Sequence, residues 1–187
     1  MNDFHKPVLL RQSLKGLNIN PNGIYVDATF GGGGHSSSII NKLKDGSLIV
    51  FDQDQEAVKN KIKTDSRFKM IRDNFRNLKE KLSLINIFKI DGLIADLGVS
   101  SYHFTDNKRG FSIKYDANID MRMDNTLKKD GVFILNNYKR ESLIRVFKEH
   151  SDFKNPKLIV DLIISYRDTQ SIQTTFDFKK IFHNRAP

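Results

Sequence analysis

The stretch from Ile24 to Asp52 restricts what this chain can fold into more than any other. It reads IYVDATFGGGGH from Ile24 to His35, continues as a helix-like segment, and closes on LIVFD from Leu48 to Asp52. A β-branched apolar run ends in an acid, four glycines follow, and a second apolar run ends in another acid. Gly31 and Asp52 are 21 positions apart, close to the roughly 20 between a glycine turn and the acid that holds a ribose in nucleotide-binding βαβ units. Glycine lets a backbone come close to a ligand, and a carboxylate after the second strand accepts hydrogen bonds from vicinal hydroxyls. The expected ligand is of the adenosine type. Four consecutive glycines lose much conformational freedom on folding, which argues against a purely structural use.

The rest of the chain extends this alternation. The spacing predicts a helix over 7–17, a turn at Asn20-Pro-Asn-Gly23, a strand over 24–28 and a helix over 35–44. A strand at Ser47–Asp52, a helix over 55–63 and a strand at Phe68–Arg72 follow. Leu78, Leu82 and Ile85 share one face of a helix over 75–87, and 90–97 reads as a fourth strand. Strands alternating with helices of this length imply βαβ units and a parallel sheet. Past Leu97 the texture changes. Residues 98–125 are rich in Ser, Asp, Asn, Arg and Met and read as a long loop region, often a functional one. Helices return from Gly131. Asn155-Pro156 reads as an N-cap followed by proline at the first helical position, and Thr174 to Asp177 as a capping variant opening a last helix.

At 187 residues the chain is long enough for one domain and part of a second. No run approaches the roughly 18 apolar residues of a transmembrane helix, and the N-terminus lacks a signal-peptide pattern. Zero cysteines exclude disulfides and thiolate metal sites and fit a reducing cytoplasm. A net charge of +9 suits a polyanionic partner such as nucleic acid, although abundant Lys, Asn and Ile are also what an AT-biased genome produces.

The glycine loop discriminates among nucleotide ligands. A dinucleotide fingerprint counted from Gly31 needs its third glycine at Ser36, and a triphosphate loop needs a lysine where His35-Ser36 stands. An acid-ended strand, a glycine loop and a second acid fit S-adenosylmethionine better. Asp27 nevertheless lies two positions farther from Gly31 than the usual methyltransferase spacing. Phe75, just after the third strand, is placed to cover an adenine ring or to join the core. His35 suits either a cofactor contact or a helix cap.

Six segments, in order, carry a resemblance. They are HKPVLL at 5–10, the loop from Asp27 to His35, FDQD at 51–54, DGLIADLGVSS at 91–101, RGFS at 109–112 and DMRMD at 120–124. Together they resemble the bacterial small-subunit rRNA cytosine-N4 methyltransferases, the MraW or RsmH family, from His5 to about Thr175. The resemblance implies a class I methyltransferase with a Rossmann-like α/β parallel sheet and an inserted helical domain. The implied division is a cofactor-binding core over 1–112 and a helical substrate domain over 113–187. It implies cofactor contacts at Gly33, Gly34, His35, Asp52, Phe75, Asp96 and His103, the last commonly Gln in the family. It also implies methylation of a cytosine amine in the decoding centre of 16S rRNA within the small ribosomal subunit, by a monomer or a dimer in the cytoplasm.

Cytosine N4 is a poor nucleophile because its lone pair is delocalised into the ring, so an acceptor for one N–H assists it. Asp96 is the first candidate, with Ser100 and Ser101 as secondary acceptors; a strand-end carboxylate that merely caps a turn is the alternative for Asp96. The target base must leave any stack, which makes Tyr102, Phe104 and Phe111 candidate shelves. Arg109 and Arg122 are candidate phosphate contacts. The family continues past Pro187 into further strands, so the sheet is expected to be incomplete beyond strand four. A methyltransferase acting on another nucleic acid or a small molecule, and an inactive remnant, are the competing readings.

Overall fold

In the computed structural model, which describes residues 7–60 and 65–183, the apolar runs form four parallel strands. They are β1 (Ile24–Asp27), β2 (Ser47–Asp52), β3 (Phe68–Arg72) and β4 (Gly92–Ile94), in the order β3-β2-β1-β4. Val26 lies opposite Ile49 on one side and Leu93 on the other, and Phe51 lies opposite Ile71. Parallel neighbours need crossover connections. These are α2 (Gly34–Ile40), α3 (Gln55–Lys59) and a 3₁₀ turn at Phe75–Asn77 running into α4 (Leu78–Ser83), with α1 (Leu10–Leu17) ahead of them all.

Alternate strand residues face opposite layers. Tyr25, Leu48 and Val50 pack with Ile39, Ile40 and Leu43 and with Leu14 and Leu17 of α1. Val26, Ile49 and Phe51 pack on the other side with Leu78 and Leu82 of α4. Coverage on both faces explains why these strands read as unbroken apolar runs. Each fully buried Val, Leu or Ile contributes about 1.5–3 kcal/mol relative to exposure.

The elements are shorter than periodicity alone predicts, for local reasons. The helix predicted over 35–44 stops at Ile40, where Lys42 and Leu43 donate to carbonyls three residues back and Lys44 donates to Pro21. The helix predicted over 75–87 ends at Ser83, and Asn86 turns left-handed at φ +59°. The Ile87 amide then reaches back to the Leu82 carbonyl, a Schellman-type close. The predicted strand over 90–97 keeps only Gly92–Ile94, and beyond it the Asp96 amide donates to the Thr29 hydroxyl. The helix predicted over 7–17 begins at Leu10, after Leu9 at φ +51°. The end of the helix predicted over 55–63 lies outside the described residues. Among the described residues β4 pairs with β1 alone, and Leu93 on it is 46% exposed.

The chain divides into two compact units at Ser100 and Ser101, whereas the resemblance places its division after Ser112. The second unit holds α5 (Ser101–Thr105), α6 (Gly131–Asn137), α7 (Arg140–His150), α8 (Pro156–Arg167) and α9 (Thr175–His183). Its core is Ile119, Leu135, Leu143, Val160, Ile163, Ile172 and Ile181. Both predicted caps form. The Asn155 side chain accepts from the Leu158 amide at 3.2 Å. Thr174 and Asp177 cap each other, the Thr174 hydroxyl accepting from the Asp177 amide at 3.2 Å and Asp177 accepting from the Thr174 amide at 3.1 Å.

Candidate cofactor site

β2 and β3 lie to one side of β1 and β4 to the other, so the connections diverge at β1. In open parallel sheets ligands bind outside the carboxyl ends of the strands at such a point. Three acids sit along that edge: Asp27 ends β1, Asp52 ends β2, and Asp96 follows β4. Their surroundings give them different uses.

Asp27 is 2% exposed. One oxygen accepts from the Thr29 amide at 3.0 Å and the other from the Ser36 hydroxyl at 2.6 Å. Burial pushes its carboxyl above the ordinary range, and the bonds from Ser36 and Thr29 offset part of that rise. Asp27 therefore ties the end of β1 to the first turn of α2 and fixes the glycine loop between them.

Asp52 is half-buried at the mouth of the loop. Its Oδ1 accepts from the Asp54 amide and its Oδ2 from the Gly31 amide, each at 2.8 Å. A carboxylate offers about four lone-pair positions, so these bonds are compatible with accepting vicinal hydroxyls. Gly31 stands at φ +51°, and a Cβ there would meet only the Thr29 carbonyl oxygen, at 4.0 Å. The position thus requires glycine for its conformation and leaves room above the backbone for a ligand.

Asp96 is held by its own backbone, since its amide donates to the Thr29 hydroxyl at 2.7 Å. Its side chain is 42% exposed, with Oδ2 4.0 Å from Nδ1 of His35. The His35 ring is otherwise buried, and its Nε2 donates to the Val8 carbonyl at 3.1 Å. That bond points Nδ1 toward Asp96. Gly34 packs so closely on Pro7 that a Cβ would overlap the proline ring. Pro7 and Val8, ahead of α1, thus clamp the start of α2; His5 and Lys6 of the same motif lie outside the described residues. The Gly33 amide donates to the Phe30 carbonyl at 2.8 Å.

Phe75 opens the 3₁₀ turn after β3 and is 44% exposed. It belongs to neither core cluster of its unit. The Asn74 side chain fixes its approach, accepting from the Arg76 amide and donating to Gln53, next to Asp52. The predicted set Gly33, Gly34, His35, Asp52, Phe75 and Asp96 therefore lies along one strand-end edge. Sequence reasoning missed Thr29 and Ser36. Thr29 sits two residues after Asp27, a spacing that signals an Asx turn; Ser36 gives no comparable signal.

The remaining candidates are Ser100 and residues of the second unit. Ser100 ends the first unit, half-buried. His103 belongs to the second unit, buried edge-on against Phe111 at 5.0 Å. Phe104 is exposed there, and the side chains of Ser101 and Tyr102 lie outside the described residues. Arg109 stacks over Phe111 at 5.5 Å and donates to the Arg122 and Met123 carbonyls. Arg122 binds Asp120 with two nitrogens and also donates to the Leu127 carbonyl. Both guanidinium groups thus brace their own loop.

Comparison with known proteins gives the family. The model of the MraW methylase family matches residues 2–187. The chain belongs to that family. Relatives named ribosomal RNA small subunit methyltransferase H include one from Christiangramia forsetii, 45% identical over 92% of this chain and 57% of the relative. One from Karelsulcia muelleri is 44% identical over 98% of this chain and 61% of the relative, and one from Ureaplasma parvum 45% identical over the same shares. The chain spans about three fifths of the length of these relatives. Methyltransferases of the MraW type use S-adenosylmethionine in general, and the open backbone at Gly31 beside a strand-end carboxylate and an exposed aromatic fits that group.

Proposed function

We propose that this chain provides the cofactor-binding part of an S-adenosylmethionine-dependent methyltransferase acting on the exocyclic N4 of a cytosine in 16S rRNA of the small ribosomal subunit, in the cytoplasm. The observation that carries the proposal is the crevice edge itself, where Asp52 anchors the Gly31 backbone and Asp96 presents an exposed carboxylate beside it. The names of the relatives support ribosomal RNA of the small subunit as the substrate class. Among the described residues no helix is long and apolar enough to cross a membrane.

Asp52 takes the ribose hydroxyls, Gly31 admits the ligand to the backbone, and Phe75 covers the adenine. When bound, S-adenosylmethionine supplies an electrophilic methyl group on a sulfonium. Asp96 would accept one N–H of the target amine, which localises the nitrogen lone pair, and would take the proton that the amine releases on methylation and pass it to solvent. Holding amine and methyl in line supplies most of the acceleration. Ser100 and Ser101 are secondary acceptors.

The test is transfer of labelled methyl from S-adenosylmethionine to small ribosomal subunits lacking the modification, followed by nucleoside analysis. Label in N4-methylcytidine is expected. Asp96→Asn should lower turnover at least a hundredfold while leaving cofactor affinity within a few-fold. Cofactor binding without label in any cytidine would contradict the substrate.

A further inference from the structure

A second charged feature lies in the helical unit, well separated in sequence from the strand-end residues of the first unit. Between α7 and α8 is an open cavity of about 400 Å³ lined by Ile144, Lys148, Phe153, Lys154, Asn155 and Lys157, among others. Lys148 comes from α7, Lys154 from the connection and Lys157 from the first turn of α8. All three are exposed, and none forms an ion pair among the described residues. Three acids are near in sequence, Glu149, Asp152 and Asp161, and none lines the cavity; Glu149 sits 3.9 Å from His150, and Asp161 pairs with Arg140. Ile144, Phe153 and Pro156 supply its apolar lining. Phe153 is 44% exposed and rests against Phe147 with ring centroids 6.0 Å apart.

Three lysines around one cavity repel one another when no anion lies among them. Being exposed, they are screened by salt, but together they line one cavity from two helices and the connection between them and make it locally positive. The positive end of the α8 dipole adds to the same field. An exposed aromatic face beside clustered lysines is the combination that binds single-stranded nucleic acid, with phosphates on the cations and a base on the ring.

We propose that this cavity is a docking site for a single-stranded segment of RNA, distinct from the strand-end crevice. Lys148, Lys154 and Lys157 bind the phosphodiester backbone, and Phe153 stacks one base. The inference rests on the reading of the chain as an RNA methyltransferase and adds a second point at which the substrate is held.

The test uses the whole chain and a fluorescein-labelled RNA hairpin with a single-stranded, cytosine-containing loop, with binding followed by anisotropy across a salt series. Three proteins are compared: the parent, Lys148→Gln/Lys154→Gln/Lys157→Gln, and a control of equal charge change, Lys69→Gln/Lys79→Gln/Lys89→Gln. Circular dichroism confirms that each is folded. The cavity variant should bind at least tenfold more weakly, and its salt slope should fall by about 2, since each phosphate contact on a single strand contributes about 0.7. The control should stay within threefold of the parent. Phe153→Leu should weaken binding about fivefold with the salt slope unchanged; no change overturns the stacking role. Equal losses in both triple variants, or a cavity variant that binds like the parent, overturn the site while leaving the RNA reading intact. Failure of the parent to bind RNA overturns both. Loss of binding to phosphatidylglycerol vesicles with unchanged RNA affinity assigns the lysines to a lipid surface and overturns the proposal.

Discussion

The glycine loop after β1 and the loop around Met121 meet the same demand with different residues. Each follows an aspartate that turns the chain by accepting an amide two residues on, Asp27 from Thr29 and Asp120 from Arg122. Each then carries left-handed backbone, at Gly31 with φ +51° and at Met121 with φ +56°. In the first loop glycine adopts that conformation without strain, and the acid is buried and bonded to a hydroxyl. In the second a methionine is held there while Arg109 and Arg122 bind the surrounding carbonyls. The glycine loop leaves its backbone bare for a ligand. The Met121 loop keeps a side chain and depends on cations for its shape.

The largest expected effect comes from unpairing the buried acid. Ser36→Ala removes the hydroxyl that bonds Asp27 and should cost about 2 kcal/mol in urea unfolding, with the Asp27 carboxyl driven further upward. A loss below about 0.5 kcal/mol would mean that Asp27 does not depend on that bond. Next come the two left-handed positions. Gly31→Ala should cost about 1 kcal/mol, because only glycine reaches that conformation freely, and should also weaken S-adenosylmethionine binding. Met121→Gly should leave stability within about 0.5 kcal/mol of the parent, since relief of strain is offset by the extra freedom of the unfolded chain. Equal losses at both positions would erase the contrast between the loops.

The smallest effect is a difference in pH dependence. Burial raises the Asp27 carboxyl above its ordinary value of 3.8. The folded state thus holds that proton more tightly than the unfolded state. The resulting stability is fully present below the ordinary value and is lost as pH rises through the raised one. Asp120 is the reverse, its carboxyl lowered by the hydrogen bond from Arg122. Its contribution is present above the ordinary value and is lost as pH falls through the lowered one. Asp27→Asn should therefore gain on the parent as pH rises through the Asp27 transition. Asp120→Asn should be less stable than the parent at neutral pH and approach it in acid. Unfolding curves between about pH 3 and 7 check both signs.

Much of the first unit was legible because its information is local. β-branched runs ending in acids marked β1 and β2, and the distance from Gly31 to Asp52 anticipated two groups that meet in a 2.8 Å bond. The caps at Asn155 and Thr174 were legible for the same reason. The partners of His35 and Asp27 were not. Whether Ser36 reaches Asp27 depends on the phase at which α2 leaves the loop, and the His35 ring answers to Val8 on a segment far back in the chain. Arg109 and Arg122 show a different kind of gap, in that their internal partners were not read from the sequence. Their charge suggested an external anion, while Asp120 two residues before Arg122 already supplied an internal one. The early end of the fourth strand depended on Thr29, a residue outside its own run.

The account turns on Asp52 and Gly31 forming the ribose end of an S-adenosylmethionine site. Isothermal titration of S-adenosylmethionine into the parent and into Asp52→Ala tests this directly. The account predicts one site in the parent and at least a tenfold loss of affinity in the variant, with the variant still folded by circular dichroism. Unchanged affinity in Asp52→Ala, or no binding to a well-folded parent, would contradict it.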